Sequence, residues 1–251
     1  MTTRRTALVT GASYGVGAAI ALALARDGFD VAVSATRVKN LENTVVKLEA
    51  LGARVVPLVL DLRSQASIER AMADVIAACG HLDLLVNNAG ANLRKLAVEV
   101  TWAEWDAVMA TNLTGTFFLT QQAGRHLIAS GRPGAIVNLA STHALVGAAE
   151  RSTYGISKGA IIQMTRMLAV EWAEHGIRVN AIAPGRLDTA SPSRAARTAD
   201  PAYMDAMRAR APLQRLATVE EVAAAVCYLA GPQAGSITGQ VLVLDGGLTV
   251  A

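Results

Sequence analysis

The residues that could carry chemistry begin with a phenol and an amine four positions apart. Tyr154 and Lys158 lie in the stretch YGISK, among small and apolar neighbours. Side chains four apart on a helix share one face, and a nearby ammonium lowers the ordinary tyrosine pKa of about 10. The pair therefore predicts a general acid or base. An ordinary helix-surface contact is the alternative for the pair taken alone.

Other polar residues follow strand-like segments. Ser141 ends the segment IVNLAS, and NNAG (residues 87–90) ends the strand-like segment before it. Asn112 lies in a helical pattern with weak helix formers beside it, where a buried, satisfied amide in a kinked helix is the alternative. Ligands of open parallel sheets bind at the carboxyl ends of the strands. We therefore expect these groups to meet at one sheet edge.

A glycine-rich turn, TGASYGVG, leads from the first strand-like segment into a helical one. Its glycines Gly11, Gly15 and Gly17 allow positive φ and close backbone approach. A helix that begins here presents free N–H groups and a positive dipole end. The turn therefore predicts pyrophosphate binding. Its spacing differs from the usual dinucleotide fingerprint, so a tight turn without a ligand is the alternative.

The end of the second strand-like segment favours NADP(H) over NAD(H). An acid at this position bonds the ribose hydroxyls, whereas an arginine accommodates a 2′-phosphate. The sequence here reads SATR, with Thr36 and Arg37 and no acid, and Lys39 follows. The alternative is that Arg37 is a solvated residue at a helix start. Tyr14 stands where a basic residue would have strengthened the NADP(H) interpretation.

Seven strand-like segments must position these residues: 6–10, 31–35, 54–60, 82–87, 135–140, 177–183 and 240–245. Helical patterns separate them, and this alternation predicts an α/β fold with a parallel sheet covered by helices on both faces. Pro57 interrupts the third segment and predicts an edge strand, because proline cannot donate to a ladder. Gly52, Gly176 and Gly231 follow helical patterns, as left-handed C-caps would.

Composition excludes several function classes. The chain has 251 residues, 52% of them hydrophobic and 17% charged, with a net charge of +3. Such a chain can bury a large core, and its balanced charge does not favour nucleic acid. The sequence has no uncharged apolar run of about 18 residues, so we expect no membrane span. We expect no metal site, and two isolated cysteines indicate free thiols in a reducing compartment, the cytoplasm. Residues 186–217, rich in Arg, Ala, Ser and Pro, are interpreted as a substrate lid.

Together, TGASYGVG, NNAG, Asn112, Ser141, YGISK and the PGRLDT segment at 184–189 resemble the short-chain dehydrogenase/reductase family. The resemblance covers nearly the whole chain and implies a single-domain, doubly wound Rossmann fold over residues 1–251. It implies that Tyr154 is the acid or base, that Lys158 lowers its pKa and bonds the nicotinamide ribose, and that Ser141 polarises the substrate oxygen. Asn112 would hold a water that links Lys158 to solvent.

The resemblance and the two cofactor patterns together give a predicted NAD(P)-binding set. Its members, besides Tyr154 and Lys158, are Gly11, Ser13, Tyr14, Gly15, Val16, Gly17, Thr36, Arg37, Asp61, Leu62, Asn88, Ala89, Gly90, Pro184, Gly185, Leu187 and Thr189.

The substrate is less defined. Arg94, His143, Arg151 and Arg186, with Ser141, are the predicted substrate-binding residues, and they indicate a polar or anionic compound such as a sugar acid. The alternative is that some of these side chains face solvent or the cofactor. Residues 151–184 resemble gluconate-5-dehydrogenase-like members of the family. A 3-oxoacyl-carrier-protein reductase is the second candidate, with Arg132 as a docking residue, although Val170 stands where those reductases often have an arginine.

Two further expectations concern assembly and activity. The last strand-like segment is an apolar edge, and the segment 154–174 is apolar on more than one stripe, so we expect a homotetramer built through both. The family implies the same. A non-catalytic nucleotide-binding protein is a third possibility. It is disfavoured because such members usually lose the Tyr/Lys pair or the glycines, all of which are present here.

Overall fold

The computed structural model describes residues 4–188 and 200–251. Seven parallel strands form one sheet in the order β3-β2-β1-β4-β5-β6-β9. These strands are β1 (Thr6–Val9), β2 (Asp30–Ala35), β3 (Val55–Val59), β4 (Leu84–Asn87), β5 (Gly134–Leu139), β6 (Ile177–Pro184) and β9 (Val241–Leu244). The predicted doubly wound, seven-stranded parallel sheet is confirmed.

Eight helices lie between the strands in the described parts of the chain. They are α1 (Gly15–Arg26), α2 (Glu42–Glu49), α3 (Gln65–Cys79), α4 (Trp102–Met109), α5 (Thr116–Ser130), α6 (Ser152–Glu171), α7 (Pro201–Ala209) and α8 (Val219–Ala230). None of these described helices is long and apolar enough to cross a bilayer.

Alternating strand residues feed two hydrophobic cores, one on each face of the sheet. On one face, Val9 and Val33 pack with side chains of α1 and α8 such as Leu24. On the other, Leu8 and Ile136 pack with side chains of α3, α5 and α6. Because both faces are covered, the central strands are apolar at almost every position, as the sequence predicted.

Strand β3 lies at one edge of the sheet, as Pro57 predicted. Pro57 pairs in register with Val33 of β2, and no strand of the described chain lies on its other side. Its missing N–H is therefore not required by a second neighbour.

The three glycines predicted as left-handed C-caps differ in outcome. Gly52 and Gly176 have φ of 70° and 69°, as predicted. Gly231 has φ −81° and ψ 165°, so that prediction is wrong. The reason is an alternative partner for the helix end, because the Arg178 guanidinium donates to the carbonyl of Leu229 at 2.7 Å. An arginine can satisfy terminal carbonyls and complement the negative end of the helix dipole without a left-handed residue.

The segment 186–217 leaves and rejoins the fold through a short ribbon. Strand β7 (Leu187–Asp188) pairs in parallel with β8 (Ala217–Thr218). Helix α7 lies between them, and Asp200 caps its start by accepting from the Ala202 N–H. Residues 189–199, which include Thr189 and much of the predicted lid, lie outside the described residues.

Candidate active site

The polar residues singled out in the sequence lie at the carboxyl ends of neighbouring strands. NNAG ends β4, Ser141 follows β5 by two residues, and Gly185 follows β6. Strands β4, β5 and β6 are adjacent in the sheet. The groups therefore meet at one edge, where parallel sheets bind ligands.

Tyr154 and Lys158 occupy the first two turns of α6. The Lys158 ammonium lies 5.9 Å from the centre of the Tyr154 ring. Only 5% of Lys158 is exposed, and its Nζ donates to the Leu139 carbonyl at 2.6 Å. Burial lowers the pKa of this ammonium from 10.5 to about 8. No carboxylate pairs with Lys158 among the described residues, so its charge is available to a phenolate or a bound anion.

Ser141 and His143 lie beside the tyrosine. The Tyr154 and His143 rings meet edge to face, with centroids 6.2 Å apart. Helix α6 comes this close because Gly155 has no side chain: a Cβ there would lie 2.8 Å from the His143 carbonyl oxygen. Ser141 is 7% exposed, and its Oγ accepts from the His143 N–H at 3.2 Å. The structure therefore brings three of the predicted residues together.

Asn112 sits in a π-turn, Ala110–Gly115, between α4 and α5. Its side chain clasps the backbone of Ala91, with Oδ1 accepting from the N–H at 2.6 Å and Nδ2 donating to the carbonyl at 2.9 Å. Nδ2 also donates to Ser157 Oγ at 3.0 Å. Both amide hydrogens are thus in use. The role of Asn112 as the residue that holds a water stays a prediction. Because both hydrogens are used, an oxygen atom of Asn112 would have to accept from that water.

Gly90 marks the point where Asn112 and Lys158 approach each other. A Cβ on Gly90 would lie 3.2 Å from Asn112 Oδ1 and 3.6 Å from Lys158 Nζ. NNAG, the π-turn and α6 therefore form one continuous wall of the site.

The glycine-rich turn is shaped for close backbone approach. Gly11 has φ +65°, and a Cβ on Gly17 would lie 2.3 Å from the Gly11 carbonyl oxygen. Asn88 fixes the turn, because its Nδ2 donates to the carbonyls of Thr10 and Gly11 at 2.9 and 3.0 Å. The N-cap residue of α1, Tyr14, makes no side-chain cap. These features fit a dinucleotide phosphate at the helix start.

The end of β2 presents a basic and a hydroxyl side chain to solvent. Thr36 and Arg37 are both exposed, whereas Ser34 is buried. Tyr14 is 53% exposed at the start of α1. The Ala12 N–H donates to the Ser34 carbonyl at 3.0 Å, which ties this strand end to the glycine-rich turn.

The remaining predicted cofactor residues differ in their surroundings. Asp61 is engaged by Arg63 through two hydrogen bonds of 3.0 and 2.8 Å, and this partner lowers the pKa of the Asp61 carboxyl. Leu62 is buried. Gly185 donates to the Leu244 carbonyl at 2.9 Å. The other members at or after the strand ends are Ser13, Gly15, Val16, Ala89, Pro184 and Leu187.

The predicted substrate arginines all contact protein groups. Arg94 forms an ion pair with Glu150, which the sequence analysis did not single out. Arg151 donates to Asn92 Oδ1 at 2.6 Å. The guanidinium carbon of Arg186 lies 5.3 Å from the centre of the Tyr203 ring. Pairing with Glu150 weakens the case for Arg94 as an anion-binding residue, so the predicted positive mouth is less positive than the sequence suggested.

Two residues of the site, Glu150 and Ser157, were not predicted from the sequence. Glu150 has φ +63°, and its carbonyl accepts from the Lys95 N–H at 3.0 Å. Nothing in its residue type signals this contact. Ser157 is one of the small neighbours within YGISK, and its hydroxyl accepts a hydrogen bond from Asn112. Among the described residues, no group of His, Cys, Asp and Glu could hold a metal ion.

Comparisons with known proteins cover almost the whole chain. A family model described as Enoyl-(Acyl carrier protein) reductase matches residues 11–249. The gluconate 5-dehydrogenase of Gluconobacter oxydans is 35% identical, over 98% of this chain and 94% of the relative. The 3-oxoacyl-(acyl-carrier-protein) reductase of Thermotoga maritima is 36% identical, over 97% of each chain.

A solved structure matches equally widely. The gluconate 5-dehydrogenase of Burkholderia cenocepacia, in complex with NADP and tartrate, superposes with a TM-score of 0.92 at 31% identity. The match covers 98% of this chain and 96% of that one.

Proposed function

The chain belongs to the short-chain dehydrogenase/reductase family, and from that premise we propose that it interconverts a secondary alcohol and a ketone with a nicotinamide cofactor. The observation that carries the proposal is the buried ammonium of Lys158 beside Tyr154. A buried cation without a carboxylate partner lowers the free energy of a nearby phenolate. This is the setting in which a tyrosine serves as a general acid or base.

The bound cofactor supplies or accepts the hydride, and the residues of this chain handle the substrate oxygen. As negative charge builds on that oxygen, Tyr154 donates its proton and the Ser141 hydroxyl donates a hydrogen bond. Donors aimed at developing charge stabilise the transition state more than the ground state.

Tyr154→Phe tests this assignment. The ring is kept, so cofactor affinity should stay near that of the parent, and turnover should fall by about 10² to 10⁴-fold, the usual contribution of a general acid. Cofactor binding is measured by the quenching of protein fluorescence and turnover by nicotinamide absorbance. Turnover that survives in Tyr154→Phe would remove Tyr154 from the role of acid.

We propose that NADP(H) is the preferred cofactor. The exposed Arg37 guanidinium at the end of β2, with no acid in the strand end SATR, supports a 2′-phosphate there. Arg37→Ala should raise the KM for NADPH about tenfold or more and leave that for NADH unchanged, because only NADPH loses a charged hydrogen bond. Lys47→Ala, at an exposed position of α2, is the matched control. Equal use of NADH by the parent protein would contradict the preference.

A small polar or anionic hydroxy or keto compound, such as a sugar acid, is the first candidate substrate. The two gluconate 5-dehydrogenase relatives support it, one of them a complex with NADP and tartrate. Among the predicted substrate residues, His143 has a side chain in contact with the Tyr154 ring. A panel of ketogluconates, hydroxysteroids and acetoacetyl thioesters, followed by nicotinamide absorbance, tests it. Turnover of thioesters alone would reject it.

A 3-oxoacyl-carrier-protein reductase is the second candidate, favoured by the Thermotoga maritima relative. The docking role of Arg132 stays a prediction. Arg132 lies just before the amino end of β5 and pairs with Asp83 at 2.9 Å, so part of its charge is already compensated within the chain. Val170, which stands where those reductases often have an arginine, is 80% exposed.

The third candidate is a non-catalytic nucleotide-binding protein. Binding of the cofactor without turnover of any compound in the panel would favour it.

We propose a homotetramer built through α5–α6 and β9. A groove of 550 Å³ lies between the helices, lined mainly by apolar side chains that include Phe117, Phe118, Met164 and Met167. Ile161 and Leu168 of α6 are buried in the core, whereas Met167 is 53% exposed, so the helix carries two apolar stripes. Strand β9 is the second sheet edge, opposite β3. A monomeric mass by light scattering at micromolar concentration would reject the proposal.

Two smaller proposals complete the assignment. The lid role predicted for 186–217 is proposed here for its described residues, which the contact of Arg186 with Tyr203 of α7 supports. The cytoplasm is the location, which the two free cysteines, Cys79 and Cys227, support. Limited proteolysis with and without cofactor, and fractionation of cells that express the chain, test the two in turn.

A further inference from the structure

We propose that Ser157 is a positioning residue that holds the Asn112 amide against Lys158, an inference that rests on the proposed function. Ser157 lies between the catalytic pair in sequence, one residue before Lys158, and it is fully buried. It acts on the reaction through Asn112.

The Ser157 hydroxyl joins two elements that carry different parts of the site. It donates to the Tyr154 carbonyl at 2.7 Å, within the first turn of α6. It accepts from Asn112 Nδ2 at 3.0 Å, on the π-turn. This is the hydrogen bond between the Asn112 side chain and the helix that carries Tyr154 and Lys158. The other amide contacts of Asn112 are to the Ala91 backbone.

Loss of the hydroxyl would leave a buried Nδ2 hydrogen without an acceptor. A buried donor without a partner is costly, so the amide would turn or admit water. Asn112 Oδ1 and Lys158 Nζ both lie within 3.6 Å of the same point beside Gly90. A displaced amide therefore changes the polar surroundings of the Lys158 ammonium. Among the described residues, Tyr154 on the same helix is the titratable group in contact with that ammonium, and His143 on the loop after β5 contacts the Tyr154 ring.

The chain offers a matched control two turns further along α6. Thr165 is also fully buried, donates to a helix carbonyl, that of Ile161, at 2.8 Å, and accepts from the amide of a buried asparagine, Asn138, at 2.9 Å. Ser157→Ala and Thr165→Val each delete one such hydroxyl. Only the first deletion touches the wall beside Lys158.

The experiment measures thermal stability, kcat, KM and the pH profile of turnover for the two variants. Both should lose a similar amount of thermal stability. Ser157→Ala should lower kcat about tenfold, leave KM for the cofactor near the parent value, and move the apparent pKa of the profile by more than about half a pH unit. Thr165→Val should keep the parent profile. Ser157→Thr, which retains the hydroxyl, should restore the profile.

Two outcomes overturn the inference. One is an unchanged profile in Ser157→Ala, and the other is the same change in Thr165→Val, which would make the effect structural. Tyr154→Phe is measured beside them: if it abolishes turnover while Ser157→Ala does nothing, the inference fails and the proposed function stands. If the parent protein turns over no compound in the panel, crystal structures of the parent and of Ser157→Ala test the inference. An Asn112 amide that keeps both Ala91 contacts in Ser157→Ala crystals refutes the inference, and a turned or hydrated amide supports it.

Discussion

Lys158→Met should make the cofactor-free protein more stable while it abolishes turnover. The ammonium is 5% exposed, and burial lowers its pKa from 10.5 to about 8. A shift of that size corresponds to roughly 3 kcal/mol of cost for keeping the charge inside the protein. Methionine fills a similar volume without the charge. The Leu139 carbonyl loses its contact with the charged Nζ, which costs about 2 kcal/mol. The net gain is therefore about 1 kcal/mol at pH 7.

Thermal unfolding followed by circular dichroism checks this magnitude. For a chain of this size, about 1 kcal/mol raises Tm by about 2 to 4 °C. Lys47→Met is the control, because that lysine is exposed on α2 and a surface substitution changes stability by about 0.5 kcal/mol or less. A Lys158→Met variant that melts at or below the parent temperature at pH 7 would refute the reasoning.

The pH dependence gives a second, independent check. The folded-state pKa of Lys158 lies below its unfolded value, so the cost is complete below about pH 8 and disappears as the pH rises toward 10.5. The Tm of the parent should therefore rise relative to the Tm of the methionine variant between pH 7 and about pH 9.5. Other titrating groups are common to both proteins and cancel in the difference. A Tm difference that is constant over this range would show that the charge is not the cause.

Two further predictions concern packing and acid stability. Gly115→Ala should lower Tm by several degrees, despite the better helix propensity of alanine, because its Cβ would lie 2.0 Å from the Leu62 carbonyl oxygen. Gly147→Ala, where a Cβ meets nothing within 4 Å, is the control, and a Gly115→Ala variant as stable as the parent would reject the contact. His126 Nε2 accepts from the Leu82 N–H at 3.3 Å, and burial lowers the pKa of this imidazole. Its contribution is therefore present above pH 6.5 and is lost as the pH falls below that value, so His126→Gln should lose less Tm between pH 7 and pH 5 than the parent. An equal acid-induced loss in both proteins would speak against this role of His126.

Much of the fold was predictable because the signals are local. Buried parallel strands must be apolar throughout, and this pattern gave all seven strands of the sheet in order. Pro57 placed β3 at an edge because it lacks a donor. The prediction at Gly231 failed for a non-local reason. The helix end there is satisfied by Arg178, which lies 51 residues away in sequence, and no local pattern reports such a partner.

The candidate site divides in the same way. Tyr154 and Lys158, the glycine-rich turn and NNAG were predictable as site residues because their proposed chemistry depends on residue type and short spacing. The ion pair of Arg94 with Glu150 was not found, since it joins loops 56 residues apart in sequence. It changes the meaning of Arg94, because a guanidinium that already has a carboxylate partner attracts an anionic substrate less strongly.

The sequence by itself determined the alternation of strands and helices and the family, and it predicted the acid–base pair, since each depends on periodicity or on residues close together along the chain. Only the tertiary structure decided the surroundings of that predicted pair. The burial of Lys158, the clasp of Asn112 on Ala91, and the bond from Asn112 to Ser157 each join segments that are distant in sequence. Burial and long-range hydrogen bonds depend on which surfaces the fold brings together, and a one-dimensional pattern does not contain that information.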